Sequence, residues 1–422
     1  MNETIKHRIE QIKRGEVPTG YKKSKLGVLP GDWTSMTVGE CLEKVEKPVA
    51  VEPDKLYTQI GIRSHGKGLF YKEPVSGESL GNKSVFWVEP DCFVLNIVFA
   101  WEQAIGKTTE NEIGMIGSHR FPMFRPIDNR VYIDYLISYL LTKRGTDILE
   151  FASPGGAGRN RTLGQDRFLN SKIILPTIDE QKKIAEILAT QDKVIALKEK
   201  LLQEKKTQKK YLMQQLLTGE KRLPGFSGEW VRTKMSDVLE LRNEKNTSED
   251  LRICSVAVND GVVDQIAHLG KSMAASNTSN YAVVHYGDIV YTKSPTGNFP
   301  YGIVKQSQLA ENVAVSPLYG VYKPRTYELG FILNEYFSFA NNANNYLLPI
   351  INKGAKNTIN IADITFLTPS LLLPKDDNEI CKLAQVFKKA NEEISIIQKS
   401  IGQEKQKKIA LMQLLLTGIV RV

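Results

Sequence analysis

The sequence has few of the residues from which metal sites and disulfide frameworks are built. Its four cysteines (Cys41, Cys92, Cys254 and Cys381) are far apart, form no Cys-x-x-Cys motif and have no histidine at ligand spacing. None of the five histidines is followed by another one helical turn later. Zinc sites and disulfide scaffolds both need denser, regularly spaced ligands or cysteines. We therefore expect free, buried thiols and no metal bound by this chain.

A long apolar segment is also absent. The longest apolar run, near residues 93–100, is far shorter than the roughly 18 residues that a membrane-spanning helix needs. Residues 1–14 have a helical pattern but are charged throughout, which is not typical of a secretory signal. Hydrophobic residues make up 41% of the 422 residues, enough to exclude a disordered chain and to fill more than one core. We expect a folded, cytoplasmic protein without a membrane partner.

The charge of the chain is biased toward basic residues. Lysine and arginine number 56 against 47 aspartates and glutamates, giving a formal net charge of +9. An excess spread over the whole chain suits a polyanion such as nucleic acid, but solubility alone also explains it. Charge therefore leaves nucleic-acid binding as one open class of function.

The chain contains an internal repeat. Shifted by 199 residues, 180–219 aligns with 379–418 without a gap, and 14 of the 40 positions are identical. The identities end in the string Leu-Met-Gln-x-Leu-Leu-Thr-Gly, which occupies 212–219 and again 411–418. A shift of 197 aligns weaker upstream landmarks, including Gly-x-x-basic-Asn at 156–160 and Gly-Ala-Lys-Asn at 354–357. The period is too long for a solenoid and indicates a duplicated unit of a globular domain and a helix.

The repeated blocks have the spacing of long helices with one apolar face. In the second block apolar residues recur at alternating spacings of three and four, and the first block has apolar residues on the matching face. This pattern predicts that the helices pair through Ile184, Leu188, Ile195, Leu202, Leu383, Phe387, Ile394 and Ile401. Forty residues at 1.5 Å rise make a helix of about 60 Å. Because one apolar stripe needs a partner in water, we expect the two helices to pair, antiparallel; two independent oligomerisation helices are the alternative.

The segments before the helices have a globular composition. Short β-type runs such as 84–88 and 281–284 are followed by helix-like stretches at 132–141 and 331–339, then by a glycine- and asparagine-rich loop and a last apolar strand. We predict two α+β domains that have diverged far more than the helices.

No catalytic motif is complete in this sequence. Residues 104–109 resemble the end of a phosphate-binding loop but lack its first glycine, with Trp101 in that place. The string Asn298-Phe299-Pro300-Tyr301 departs at its second position from the Asn-Pro-Pro-Tyr of adenine-N6 methyltransferases. Asp91 and Glu102 lack the Glu-x-Lys of a nuclease metal site. We therefore expect a chain that is not an enzyme.

Cationic and amide side chains near glycine-rich or turn-rich segments are the candidate DNA-binding residues. Small residues let a backbone approach a phosphate, and arginine or lysine adds charge and donors. For the two glycine loops an ordinary turn is an equally good reading, and for the other positions a solvated surface role is the alternative. The candidates are Arg63, Lys67, Arg120, Arg159, Asn160, Arg161, Lys293, Asn298, Lys356 and Asn357.

The duplicated architecture resembles the specificity (S) subunit of type I restriction–modification systems. The strings that carry the resemblance are Leu-Pro before each helix, Glu180-Gln181-x-x-Ile184, the 212–219 ending followed by 221–226, and Gly228-Glu229-Trp230. Their order and duplication cover essentially the whole chain. The second copy departs from the pattern with Glu379-Ile380-x-x-Leu383, so Ile380 stands where the first copy has Gln181.

The resemblance implies a fold and a function. It implies an α+β fold with two globular α/β target recognition domains, separated by two long antiparallel coiled-coil helices in a pseudo-two-fold internal repeat. The implied domains are 1–177 (first target recognition domain, with a short N-terminal helix), 178–219 (first spacer helix), 220–377 (second target recognition domain) and 378–422 (second spacer helix). Each recognition domain would read one half of a bipartite, asymmetric site in double-stranded DNA, while the helices fix the gap and dock two methyltransferase (M) subunits.

The resemblance places catalysis and cofactors on partners. S-adenosylmethionine, ATP and Mg are expected on the M subunits and on two restriction (R) subunits, and none in this chain. Three other readings stay open: a coiled-coil assembly protein whose heads bind proteins, a diverged methyltransferase or nuclease, and a methylation-only system without a nuclease. The target bases depend on side chains in diverged loops and do not follow from the sequence.

Overall fold

The computed structural model describes residues 3–24, 27–155, 161–271, 274, 277–353 and 359–422. The chain forms two compact units. Unit 1 contains 1–198 and 400–422, and unit 2 contains 199–399. In the described part of the chain every helix is too short or too polar to span a bilayer.

Unit 1 begins with a short helix and a mixed domain that we call the first head (residues 1–177). Its elements are α1 (Glu3–Lys13), β1 (Tyr21–Ser24), β2 (Gly27–Pro30), β3 (Thr34–Thr37), α2 (Val38–Cys41), β4 (Leu42–Val45), β5 (Leu56–Tyr57), β6 (Ile60–Ile62), β7 (Leu69–Tyr71), β8 (Val75–Ser76), α3 (Gly77–Leu80), β9 (Val85–Trp87), β10 (Phe93–Leu95), β11 (Ile105–Lys107), β12 (Ile116–Ser118), β13 (Met123–Pro126), α4 (Ile133–Leu140), α5 (Lys143–Ala152), α6 (Gln165–Leu169) and β14 (Lys172–Leu175), followed by the long helix α7 (Ile178–Leu216). Short 3-10 turns occupy Ala100–Glu102 and Glu110–Glu112.

Unit 2 contains the second head (residues 220–376). Its elements are β15 (Trp230–Lys234), β16 (Leu239–Leu241), β17 (Ile253–Ala257), β18 (Gly261–Asp264), α8 (Gln265–Leu269), β19 (Ala282–Val284), β20 (Ile289–Tyr291), β21 (Val304–Gln306), β22 (Val313–Val315), β23 (Gly320–Pro324), α9 (Tyr327–Phe337), α10 (Ala340–Leu347), β24 (Asn352–Lys353), β25 (Ile359–Asn360), α11 (Asp363–Phe366) and β26 (Ser370–Pro374), followed by the long helix α12 (Asp377–Leu415). Turns of 3-10 helix occupy Met235–Asp237 and Leu348–Ile350.

The two heads share one sheet topology. A four-stranded antiparallel sheet has the order β11-β10-β13-β4 in the first head and β21-β20-β23-β16 in the second. In each head the strand before the long helix pairs with an early strand, β14 with β3 and β26 with β15. Helices α4, α5 and α6 correspond in order to α9, α10 and α11. The predicted internal repeat and the α+β class are confirmed.

The heads differ outside this shared part. In the second head, strands β18-β17-β22-β19 form another four-stranded sheet, in which β17 and β22 run parallel. The same stretch of the first head forms separate two-stranded ladders, β5-β8, β6-β7 and β9-β12. Each head has its own large apolar core.

The long helices pair antiparallel within each unit. In unit 1, Gln191 Nε2 donates to Glu404 Oε2 at 2.8 Å, and Lys198 Nζ donates to Ser400 Oγ at 2.7 Å. In unit 2, Lys205 Nζ lies 2.9 Å from Glu393 Oε2. As the residue number rises along α7, the residue number of its partner on α12 falls. The predicted antiparallel pairing is therefore confirmed.

Several of the predicted helix-pairing residues lie in the cores of the heads. Ile184 and Leu188 are buried in the first head's core, together with Leu415 from the other helix. Leu383 and Phe387 are buried in the second head's core. The remaining predicted positions lie farther along the helices: Ile195 and Ile401 are buried, whereas Leu202 and Ile394 are half-buried. The apolar stripe of each helix thus packs into the core of a head near the start of the helix, and its later residues are available for contact between the helices.

Candidate nucleic-acid interface

A hairpin turn of the first head is held against the segment that joins β10 to β11. The turn joins β6 to β7, and His65, Gly66 and Gly68 adopt positive φ angles of 61°, 63° and 73°. The backbone N–H groups of His65 and Gly66 donate to the carbonyl oxygens of Glu102 and Gln103 at 2.8 and 2.9 Å. Arg63 and Lys67 therefore lie beside residues 96–104, which we call the first connector.

Two other predicted segments meet the same connector. The Ile97 N–H donates to the carbonyl oxygen of Arg120 at 3.0 Å, and the Leu163 N–H donates to the Ile97 carbonyl oxygen at 2.8 Å. The Arg161 guanidinium lies over the Trp101 ring, 5.3 Å from its centroid. Four candidates, Arg63, Lys67, Arg120 and Arg161, thus lie on three segments that contact the first connector; we call these four residues and Trp101 the basic patch.

The cations of the basic patch differ in whether they already have partners within the chain. Arg63 Nη1 donates to the Leu69 carbonyl oxygen at 2.5 Å, and its guanidinium lies 4.9 Å from the centroid of Phe70. Lys67 and Arg120 are exposed and, among the described residues, have no ion-pair partner. An unpaired exposed cation is free to neutralise a phosphate, so Lys67 and Arg120 are the members best suited to that role.

Four of the candidates lie outside the described residues: Arg159, Asn160, Lys356 and Asn357. The backbone on either side of their loops is described. Gly155 and Arg161 form an antiparallel bridge that closes the first loop, and Lys353 pairs with Ile359 to close the second. The described backbone that flanks each of these segments is thus a short antiparallel pair in both heads.

In the second head, the Lys293 side chain is held in an ion pair, whereas the Asn298 side chain is exposed. Lys293 Nζ forms an ion pair with Asp363 Oδ1 at 2.5 Å, and the residue has a φ of 54°. Asn298 is exposed, and its side chain has no hydrogen-bond partner among the described residues. Both belong to residues 292–303, the second connector, which joins β20 to β21 as the first connector joins β10 to β11.

Sequence reasoning missed an arginine–glutamate contact that occurs once in each unit. In unit 1, Arg421 Nε and Nη2 donate to the two carboxylate oxygens of Glu180 at 2.6 and 2.8 Å. In unit 2, Arg222 Nε and Nη2 donate to those of Glu379 at 2.7 and 2.5 Å. Each pair fastens the chain after one long helix to the first turn of the other, so we call it the clasp. A signal existed: both arginines follow the Thr-Gly ending by three residues.

The clasp packs on a tryptophan in each unit. A Cβ on Gly418 would come within 3.1 Å of Trp33, and one on Gly219 within 3.2 Å of Trp230. Both glycines have a positive φ, 74° and 76°, as expected where a helix ends in the left-handed region. Trp33 Nε1 also donates to Glu180 Oε2 at 3.2 Å.

The described residues lack a cluster of metal ligands, and two of the buried cysteine thiols have raised pKa values. They contain no group of three or more His, Cys, Asp or Glu side chains that could hold a metal ion. Burial raises the pKa of the Cys41 and Cys254 thiols to about 11, so both are protonated at neutral pH.

Part of the chain matches a known domain family. Residues 85–206 match the model of the type I restriction modification DNA specificity domain. A curated relative, the putative type I restriction enzyme MjaX specificity subunit of Methanocaldococcus jannaschii, is 25% identical over 213 residues, which are 47% of this chain. The alignment spans about half, 48%, of that relative.

Solved structures match nearly the whole chain. The HsdS subunit of Thermoanaerobacter tengcongensis is 15% identical, with a TM-score of 0.53 and coverage of 93% of this chain and 98% of the other. The type I restriction–modification S subunit of M. genitalium is 10% identical, with a TM-score of 0.53 and coverage of 91% and 96%. At these identities the likeness establishes the fold.

The fold and the matched domain define a class: a protein with two heads and paired helices that carries a DNA specificity domain. Residues 85–206 carry a type I restriction modification DNA specificity domain, and the whole chain has the fold of the solved specificity subunits, so the resemblance noted in the sequence is confirmed.

Proposed function

We propose that this chain is the DNA specificity subunit of a type I restriction–modification complex, in which each head reads one half of a bipartite DNA site. The observation that carries the proposal is the position of the basic patch. Trp101, Arg120 and Arg161 all lie inside the matched specificity domain, 85–206. A second head of the same sheet topology but different loops suits a second, unlike half-site.

The chain's own residues bind DNA and do not catalyse. Lys67 and Arg120 supply salt-dependent attraction to phosphates, and side chains on the connectors contact base edges. Methylation of adenine belongs to partner subunits that bind S-adenosylmethionine, and any cleavage to partners that use ATP and Mg. The two helices, 39 residues each, set the distance between the half-sites.

Two copies of one methyltransferase subunit dock on repeated grooves. In unit 1 a cavity of about 400 Å³ lies between the end of α12 and the α4–α5 corner. In unit 2 a cavity of about 600 Å³ lies between the end of α7 and the start of α10. Both are lined by the Met, Gln, last Leu and Thr of the repeated ending.

Two equivalent groove residues are both glutamine, although no contact within the described part of the chain requires a glutamine there. Gln214 and Gln413 are exposed, and their side chains have no hydrogen-bond partner among the described residues. Burial accounts for Met213 and Leu217, and Thr218 donates to the Gln214 carbonyl oxygen at 2.7 Å to end its helix. A contact made twice with the same partner accounts for the paired glutamines.

Native mass spectrometry of the chain co-purified with its cognate adenine methyltransferase tests this proposal. The expected complex holds two methyltransferases per chain and binds duplex DNA with an affinity that falls steeply with salt. Gln214→Arg or Gln413→Arg alone should leave one methyltransferase, and the double variant none. The exposed Lys200→Gln is the matched control. A complex that binds no DNA at any salt concentration would instead favour an assembly protein whose heads bind proteins.

A further inference from the structure

The two connectors occupy the same place in the repeated sheet and are nevertheless unlike. Each joins the second strand of the four-stranded sheet to its edge strand, β10 to β11 or β20 to β21. The first connector folds into the 3-10 turn Ala100–Glu102 and lies against the 63–68 hairpin. The second forms a tight turn of its own. Because the sheet is repeated and the connectors differ, the connectors are the elements in which the two heads could recognise different DNA sequences.

The second connector presents a small, ordered tip. The backbone N–H groups of Thr296 and Phe299 each donate to the other residue's carbonyl oxygen, at 3.0 and 2.9 Å. Between them lie Gly297, with a φ of 52°, and Asn298. The tip is therefore a two-residue turn closed by two hydrogen bonds, with the Asn298 carboxamide exposed at its end.

The base of the turn is fastened on both sides. Phe299 is 6% exposed and belongs to the second head's core. The Tyr291 hydroxyl donates to the Tyr301 carbonyl oxygen at 2.7 Å, and the Ile303 N–H donates to Thr292 Oγ1 at 3.1 Å. Lys293 is held by Asp363, as described above. A turn backbone held this way loses little conformational freedom on binding, which is the advantage of a preorganised contact.

The chemistry of the tip suits bases more than phosphates. Residues 294–302 contain no acidic and no basic side chain. A neutral tip adds nothing to phosphate attraction and repels no phosphate either. The asparagine carboxamide carries a donor and an acceptor side by side, the pair that matches N6 and N7 of adenine in the major groove. Gly297 beside it lets the backbone approach the DNA closely.

We propose that the 296–299 turn of the second head enters a DNA groove and that Asn298 reads one base pair of that head's half-site, an adenine, through its carboxamide. This inference rests on the proposed specificity function. Lys293 then acts as a positioning residue, because its ion pair with Asp363 holds the start of the connector.

Methylated-motif sequencing of cells that express the methyltransferase with the wild-type chain, Asn298→Ala or Asn345→Ala tests the inference. Asn345 is an equally exposed asparagine on α10 and is the matched control. The expected result is that Asn298→Ala relaxes one position in one half-site, with discrimination at that base falling about 5- to 150-fold, while the other half-site and the gap stay unchanged. The control should give the wild-type motif.

A second variant separates loss of contact from loss of folding. Asn298→Asp keeps the size of the side chain and turns it into an acceptor, which suits the amino group of cytosine. A changed base at that position is a result that a misfolded head cannot produce. An unaltered motif in both variants overturns the inference, as does equal weakening at all sites. Absence of any bipartite motif with the wild-type chain would instead overturn the proposed function itself.

Discussion

Replacing Arg421 with methionine tests the clasp of unit 1. Methionine keeps an unbranched apolar stem and removes the guanidinium. Glu180, which is 4% exposed, then loses two hydrogen bonds of 2.6 and 2.8 Å, and of its donors among the described residues the Trp33 indole N–H remains. The Arg421 bonds to Asp32, at 2.9 and 2.7 Å, disappear as well.

The cost follows from leaving a carboxylate buried without its partner. Breaking such a pair typically costs about 3 to 5 kcal/mol. Because the Arg421 side chain is 34% exposed, water reaches part of the vacated space, and the lower end applies, about 3 kcal/mol. That corresponds to an increase of about 150-fold in the population of the locally opened state of unit 1.

Hydrogen exchange followed by mass spectrometry measures this opening segment by segment. Arg421→Met should accelerate exchange in β3, β14 and the first turns of α7, and leave the second head unchanged. Arg222→Met is the matched control, because it makes the same change at Glu379 in unit 2. Adding Glu180→Gln to Arg421→Met removes the unpaired charge and should restore most of the protection. Equal effects of both arginine variants on both units, or no effect of either, would refute the reasoning.

Three further predictions concern other parts of the chain. Gly402 is an exposed residue inside α12 with open space around its Cβ position, so Gly402→Ala should stabilise the helix by about 1 kcal/mol and raise the urea midpoint. Hydrogen bonds from Lys198 and then Gln191 hold the pKa of Glu404 below its ordinary value of 4.5. A carboxylate whose pKa is lowered by folding contributes stability above its unfolded pKa and loses it as the pH falls through the folded one, so circular dichroism should show acid loosening of the helix pair that Glu404→Gln reduces. Lys67→Gln and Arg120→Gln should each lower the slope of log affinity against log salt concentration by about 0.9, with no change of motif; a changed motif would contradict phosphate contact.

The architecture could be predicted because its signals are local or repeated. Three-four spacing of apolar residues, a proline before each long helix and a Thr-Gly after it define α7 and α12 without knowledge of any partner. The same spacing identifies a buried face but not what buries it. Ile184 and Leu383 were therefore predicted for the helix pair, and both are buried in the cores of the heads.

The candidate site could be predicted only in part. Arg161 and Trp101 are sixty residues apart in sequence, and their contact depends on how β10, β11 and the loop after α5 pack together. Lys293 looked like a free cation because Asp363, its partner, lies far along the chain. The sequence therefore nominates candidate residues by type, whereas the fold decides which of them remain unpaired.

Sequencing of adenine methylation in host DNA tests the central claim most directly. The cognate adenine methyltransferase would be expressed with this chain and without it. With the chain, the account predicts one new motif made of two unlike halves separated by a fixed gap; without the chain, the motif should be lost. Unchanged methylation while the two proteins still form a complex would contradict the assignment of DNA reading to the two heads.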